Sequence, residues 1–132
     1  MTRTRILVVD DDAGVRFALS RLLAASGDWE VAVAADADEA EALIARGAAE
    51  VMVLDLHLHG MRGDAFFHRA CEMQPSLAHR TLMITGDVSP MANDAMCTTG
   101  CRYLMKPFLA SKLLAAVGAL AEGLKGRRER SA

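Results

Sequence analysis

The sequence predicts an α/β protein, a doubly wound five-stranded parallel sheet with helices on both faces. Three observations carry that prediction. The runs Ile6-Leu7-Val8-Val9, Val51-Met52-Val53-Leu54, Leu82-Met83-Ile84 and Tyr103-Leu104-Met105 are almost wholly apolar and do not alternate, as strands buried on both faces do not. Stretches of helical period fill the gaps between them, and strict β/α alternation with short links points to a parallel sheet. Each run is also closed by a polar residue suited to chemistry: Asp10, Asp55, Thr85 and Lys106. In a parallel sheet those four ends share one edge, where open α/β sheets place their ligands.

The elements follow in order. Strands are expected near residues 4–10, 30–34, 51–55, 81–85 and 102–105. The first helix is marked by Phe17, Leu19, Leu22 and Leu23, with Asp12 as its cap, and the second covers Ala37 to Arg46 behind a cap at Asp36. Gly27 and Gly47 stop them. The third runs from about Asp64 to Met73, before Pro75. The fourth lies within Pro90 to Thr99 and is the least helix-prone, since Asn93, Thr98 and Thr99 are weak helix formers. The fifth spans roughly Leu109 to Leu124, after which Lys125 to Ala132 reads as a charged tail that frays in solvent. One domain over residues 1–124 and a tail over 125–132 is the expected organisation.

The 132 residues are enough for one core that needs no disulfide or metal to fold. A formal net charge of -2 and a pI near 6.1 give no whole-chain attraction to nucleic acid or to an anionic membrane. The apolar stretch after Arg3 and Arg5 stops at Asp10, far short of a signal-peptide core or a spanning helix. A soluble cytoplasmic protein is expected. Cys71, Cys97 and Cys101 make an odd set with no second pair to complete a zinc site, and fit reduced thiols.

At the strand ends, carboxylates of Asp10, Asp11 and Asp55 held together would repel one another, by about 4 kcal/mol per pair at roughly 4 Å and an effective dielectric near 20. Their oxygens suit a small hard cation such as Mg²⁺, which takes one or two carboxylates, keeps several waters and completes its shell with phosphate oxygens. Asp55 can then attack phosphorus to give an aspartyl phosphate, Lys106 can neutralise a transferred oxygen, and the Thr85 hydroxyl can donate to another. Gly86 leaves room beside Thr85.

The segments 6–16, 51–63, 82–87 and 100–108, containing Asp10-Asp11-Asp12, Asp55, Thr85-Gly86-Asp87 and Lys106-Pro107-Phe108, resemble the response-regulator receiver family, including receivers attached to hybrid histidine kinases. The likeness covers nearly the whole chain, with four motifs in the family's order. It implies a CheY-like fold with strand order 2-1-3-4-5. It also implies a phosphorelay switch that catalyses its own phosphorylation and dephosphorylation, with Asp55 taking a phosphoryl group from a histidine kinase or phosphotransfer protein. Asp11 and Asp55 would ligate Mg²⁺ directly, Asp10 through water, and the backbone carbonyl of His57 would complete the protein's ligands. Thr85 and Tyr103 would form the switch pair, Lys106 would contact the phosphoryl group, and Lys106-Pro107 would be cis. Output would pass through the face of the fourth helix, fifth strand and fifth helix to a protein partner, from a monomer or weak homodimer.

Two departures stand beside the acceptor. His59 occupies a place where the family most often has proline, and His57 lies two residues past Asp55. One expectation is that His57 and Asp87 meet over the phosphoryl group and set its lifetime; another is that both histidines are ordinary loop residues. His57-x-His59 with Asp55 also has the donors of a zinc or nickel site. Three further readings compete: an interaction module that has lost phosphotransfer, a phosphatase using Asp10-x-Asp12, and a flavin protein, for which the chain lacks a phosphate-binding loop rich in Ser, Thr and Gly after the first strand.

Overall fold

The protein is seen in a computed structural model that describes residues 3–26, 28–86 and 89–131, with side chains as far as residue 123. Five parallel strands form the sheet: β1 (Thr4–Val9), β2 (Trp29–Ala34), β3 (Val51–Asp55), β4 (Thr81–Thr85) and β5 (Arg102–Met105). Their order is β2-β1-β3-β4-β5. The expected topology is therefore the observed one.

Alternation along the buried strands divides the core in two. Ile6, Val8, Val51, Val53, Leu82 and Ile84 pack against Leu19 and Leu23 of α1 (Ala13–Ala25) and Leu113, Val117 and Leu120 of α5 (Ala110–Ser131). Leu7, Val9, Met52, Leu54 and Met83 face the other way. They meet Ala40 and Ile44 of α2 (Ala37–Ala45), Phe66, Phe67 and Ala70 of α3 (Gly63–Met73), and Ala92 and Ala95 of α4 (Pro90–Thr99). Both faces are covered, which is why the central runs carry no polar residue until they end.

The helix starts are local chemistry. Asp12 accepts from the Val15 N–H at 3.1 Å, Asp36 from the Glu39 N–H at 2.9 Å, and Ser89 from the Ala92 N–H at 3.2 Å, each satisfying a donor the helix itself leaves open. The weak helix formers of α4 are offset by that cap, by Pro90 in the first turn and by Gly100 in the left-handed region at φ 69°. Gly47, past α2, has φ 77°. Gly27, expected to stop α1, lies outside the described residues.

Three features differ from expectation. Residues His57–Leu58 and Met61–Arg62 form a small antiparallel hairpin that turns at Gly60 with φ 82°; two-residue strands are too short to show a period. Pro75–His79 is a 3₁₀ turn. Helix α5 continues to Ser131 instead of stopping near Leu124, the added stretch being rich in Lys, Arg and Glu, which favour helix.

Loss of the α2 cap in Asp36→Ala should lower unfolding stability by about 1 kcal/mol. Phe66→Ala, at a position with 0% exposure, should cost about 3 to 5 kcal/mol. Urea denaturation of the two variants checks that order.

Candidate functional site

Parallel register decides which residues meet. Val9 pairs with Leu54 and Asp55 with Ile84, so Asp10 leaves β1 beside Asp55 at the end of β3. Thr85 pairs with Met105, and the Lys106 N–H donates to the Thr85 carbonyl at 2.7 Å, so Lys106 enters from the far side of β4. The four strand ends thus converge. Asp10, Asp11, Asp12, Val15, Asp55, His57, Gly86 and Lys106 line an open cleft of about 590 Å³.

Within it, one carboxylate oxygen from each of Asp10, Asp11 and Asp55 lies within 4.8 Å of the others. This is the group of three ligand-bearing side chains found among the described residues. Asp10 is fully buried, Asp55 is 7% exposed and Asp11 faces solvent. Lys106 Nζ stands 3.5 Å from Asp55 Oδ2 and 3.7 Å from Asp10 Oδ2. The His57 N–H donates to Asp55 Oδ1 at 3.0 Å, and the Asp12 N–H to Asp10 Oδ1 at 2.9 Å. Asp10 Oδ2 is buried with no hydrogen-bond partner.

Burial pushes the Asp10 carboxyl from the ordinary 3.8 to about 6, against the lowering effect of the Asp12 N–H; the Asp55 charge adds to the rise and Lys106 opposes it. A hard divalent cation fits these donors: they are all oxygens, one accepts no hydrogen bond, and a single ammonium serves two carboxylates.

The remaining site residues fall into place around this cluster. Thr85 is fully buried at the end of β4, and Tyr103 is 52% exposed on edge strand β5; the two lie on adjacent strands, with Tyr103 opposite Met83. Lys106-Pro107 is cis, as expected. Asp87, the expected companion of His57, lies outside the described residues. Asp12 caps α1 through Oδ1 and also lines the cleft. His57 and His59 are both exposed, on either side of buried Leu58 in the chain. Burial raises the Cys71 thiol and pushes Cys101 up to about 11, which keeps both protonated and poor metal ligands at neutral pH.

Arg16 escaped the sequence reading. Its Nη1 donates to the Asp10 carbonyl at 2.7 Å, tying α1 to the acid-bearing turn. Its one signal is a position four residues past the cap, a single turn along the helix.

Comparison with known proteins agrees with this geometry. The family model for the response regulator receiver domain matches residues 6–118. The sensory/regulatory protein RpfC of Xanthomonas campestris pv. campestris is 34% identical over 120 residues, 89% of this chain and 16% of that protein. The C4-dicarboxylate transport transcriptional regulatory protein DctD of Rhizobium meliloti is 30% identical over 109 residues, 83% of this chain and 23% of that one. The chain therefore spans less than a quarter of either relative.

Among solved structures, a CheY-like response regulator receiver domain protein from Methanospirillum hungatei superposes with a TM-score of 0.83 at 29% identity, covering 95% of this chain and 99% of that one. A response regulator protein from Burkholderia pseudomallei, with a phosphorylated aspartic acid, calcium ion and citrate, gives a TM-score of 0.76 at 29% identity over 95% of this chain and 72% of that one. Register, acidic cleft and family match together place this chain in the response regulator receiver family of two-component signalling.

Proposed function

We propose that Asp55 is the phosphoryl acceptor, that Asp10, Asp11, Asp55 and the His57 carbonyl hold Mg²⁺ directly or through water, and that the acylphosphate drives a Thr85–Tyr103 switch read by a protein partner. The observation that carries this is the convergence of three carboxylates with one ammonium at the carboxyl edge of the sheet. The phosphorylated aspartic acid and calcium ion of the Burkholderia pseudomallei neighbour support it.

The chemistry is a displacement at phosphorus. A carboxylate oxygen of Asp55 forms the new P–O bond while the donor's P–N bond breaks, and that bonding pair leaves with the donor imidazole. The His57 N–H restrains Asp55 through Oδ1, so the nucleophile is pre-oriented. Lys106 brings its positive charge to the Oδ2 side, where the transferred oxygens gather. Mg²⁺, when bound, supplies Lewis-acid charge to those oxygens. Gly86 has no side chain to fill the cleft. A new group of nearly two negative charges beside Thr85 biases an equilibrium in which the Thr85 hydroxyl and the outward Tyr103 ring move inward. Tyr103 lies on β5, and Met91 in α4 and Leu109 just before α5 are also exposed, at 64% and 68%. Receivers exchange phosphoryl groups with histidine kinases or phosphotransfer proteins. No helix among the described residues is long and apolar enough to cross a membrane.

Incubation with Mg²⁺ and acetyl phosphate should add the mass of one phosphoryl group and shift the Tyr103 amide resonance. Asp55→Asn should abolish both, and Lys106→Ala should lower the yield or the shift by roughly 10-fold or more. An adduct on Asp55→Asn would overturn the assignment, and a wild type with neither adduct nor shift would favour a phosphorylation-independent interaction module.

The raised Asp10 carboxyl has a definite sign in stability. Between about 3.8 and about 6 the folded chain holds a proton that the unfolded chain releases, so this group's favourable contribution is complete below the lower value and lost as pH rises through the upper one. Without divalent cation, Asp10→Asn should therefore be more stable than wild type above about pH 6, by about 1 to 3 kcal/mol, and the gap should close toward about pH 4. Mg²⁺ at neutral pH should narrow the gap by stabilising the wild type. Thermal unfolding across that range, with and without MgCl₂, decides it.

His57 lines the cleft next to the acceptor, on the path by which water would reach an acylphosphate. His57→Ala should change the dephosphorylation rate several-fold, as followed by the decay of the phosphorylated mass. Equal rates would remove His57 from control of the lifetime.

A further inference from the structure

The hairpin after Asp55 returns the chain to the residue it started from. The Gly63 N–H donates to the Leu56 carbonyl at 2.6 Å, and α3 begins at that glycine. A Cβ at position 63 would lie 2.3 Å from the Asp55 carbonyl oxygen, 2.8 Å from Leu56 Cα and 3.0 Å from the Leu56 carbonyl carbon. All three are backbone atoms, which cannot swing aside as a flexible side chain can. Nor can the peptide retreat. The Leu56 N–H is bonded to the Ile84 carbonyl at 2.9 Å, and the Leu56 side chain is fully buried in the core shared by α2, α3 and α4.

We infer that Gly63 is a positioning residue for the acceptor. Its missing side chain lets the 57–62 hairpin close on the Asp55-Leu56 peptide, and that closure holds the His57 N–H where it grips Asp55 Oδ1. The inference rests on the acceptor role proposed for Asp55, but the carboxylate's placement is measurable without phosphate. A methyl at position 63 must push apart the acceptor peptide and the first turn of α3, and the His57 N–H lies between them in the chain. The backbone of Gly63 is not in the left-handed region, so contact rather than torsional strain excludes alanine.

Gly47→Ala supplies the control. Gly47 has φ 77° and nothing within 4 Å of a built Cβ, so alanine there is strained without touching anything, at the end of α2 and outside the residues lining the cleft. Amide hydrogen exchange and acetyl phosphate labelling with Mg²⁺ are measured on wild type, Gly63→Ala and Gly47→Ala, well below their unfolding temperatures.

In Gly63→Ala the His57 amide should exchange roughly 10-fold faster relative to that of Leu54, and phosphorylation should slow by roughly 10- to 100-fold. In Gly47→Ala both should match wild type. Wild-type His57 protection in Gly63→Ala, or equal effects in the two variants, overturns the inference. A wild type that takes no phosphate removes the acceptor role instead, and the exchange comparison still judges the positioning. Should Gly63→Ala fail to fold, wild type alone decides. One opening of the hairpin must free the Gly63 and His57 amides together, so a protected Gly63 beside a freely exchanging His57 overturns the inference.

Discussion

The structure turns on the burial of Asp10 beside Asp55 where β1 and β3 end. Parallel pairing puts Val9 level with Leu54, so any chain with acids after both runs must hold them side by side. The cost is visible in the raised Asp10 carboxyl and in its Oδ2, which is buried without a hydrogen bond. Lys106 stands close to both carboxylates but serves neither at optimal hydrogen-bond distance. The surrounding elements keep this repulsive arrangement from relaxing: the Asp12 N–H and Arg16 on the side of α1, the His57 N–H on the side of the hairpin, and the Thr85 carbonyl that anchors Lys106.

Charge held under such restraint is a store of free energy that an incoming ligand can draw on. On the proposed reading, a bound cation would relieve the repulsion, and a phosphoryl group on Asp55 would then add negative charge toward the end of β4 that carries buried Thr85. That reading would couple local electrostatics to the edge strand that carries Tyr103.

Much of this was legible in the sequence because strand ends are legible. An apolar run that stops at Asp10, Asp55, Thr85 or Lys106 announces both a buried strand and the edge on which its last residue sits. The helix caps Asp12, Asp36 and Ser89 are short-range chemistry of the same kind, although only the first two were anticipated. The 57–62 hairpin was not legible, since strands of two residues have no period and its turn depends on one glycine. The contacts of Arg16 and Gly63 were hidden for a different reason. Each meets backbone brought near by tertiary packing, and neither residue type marks that event locally. The difference between buried Asp10 and exposed Asp11 follows from which way a turn rotates after β1, which adjacent identical residues cannot disclose. Helix α5 outran its expected end because a charged stretch is compatible with solvent in either helix or coil.

The chain's one tryptophan lies far from this chemistry in a useful way. Trp29 opens β2, level with Thr4 at the start of β1, at the opposite end of the sheet from the acidic cleft. Its ring approaches within 4.0 Å of the Cβ position at Gly118 in α5. The indole's emission therefore reads the seating of α5 on the sheet. It is an internal optical gauge of whether the fold is intact, set apart from the charges that carry the signal.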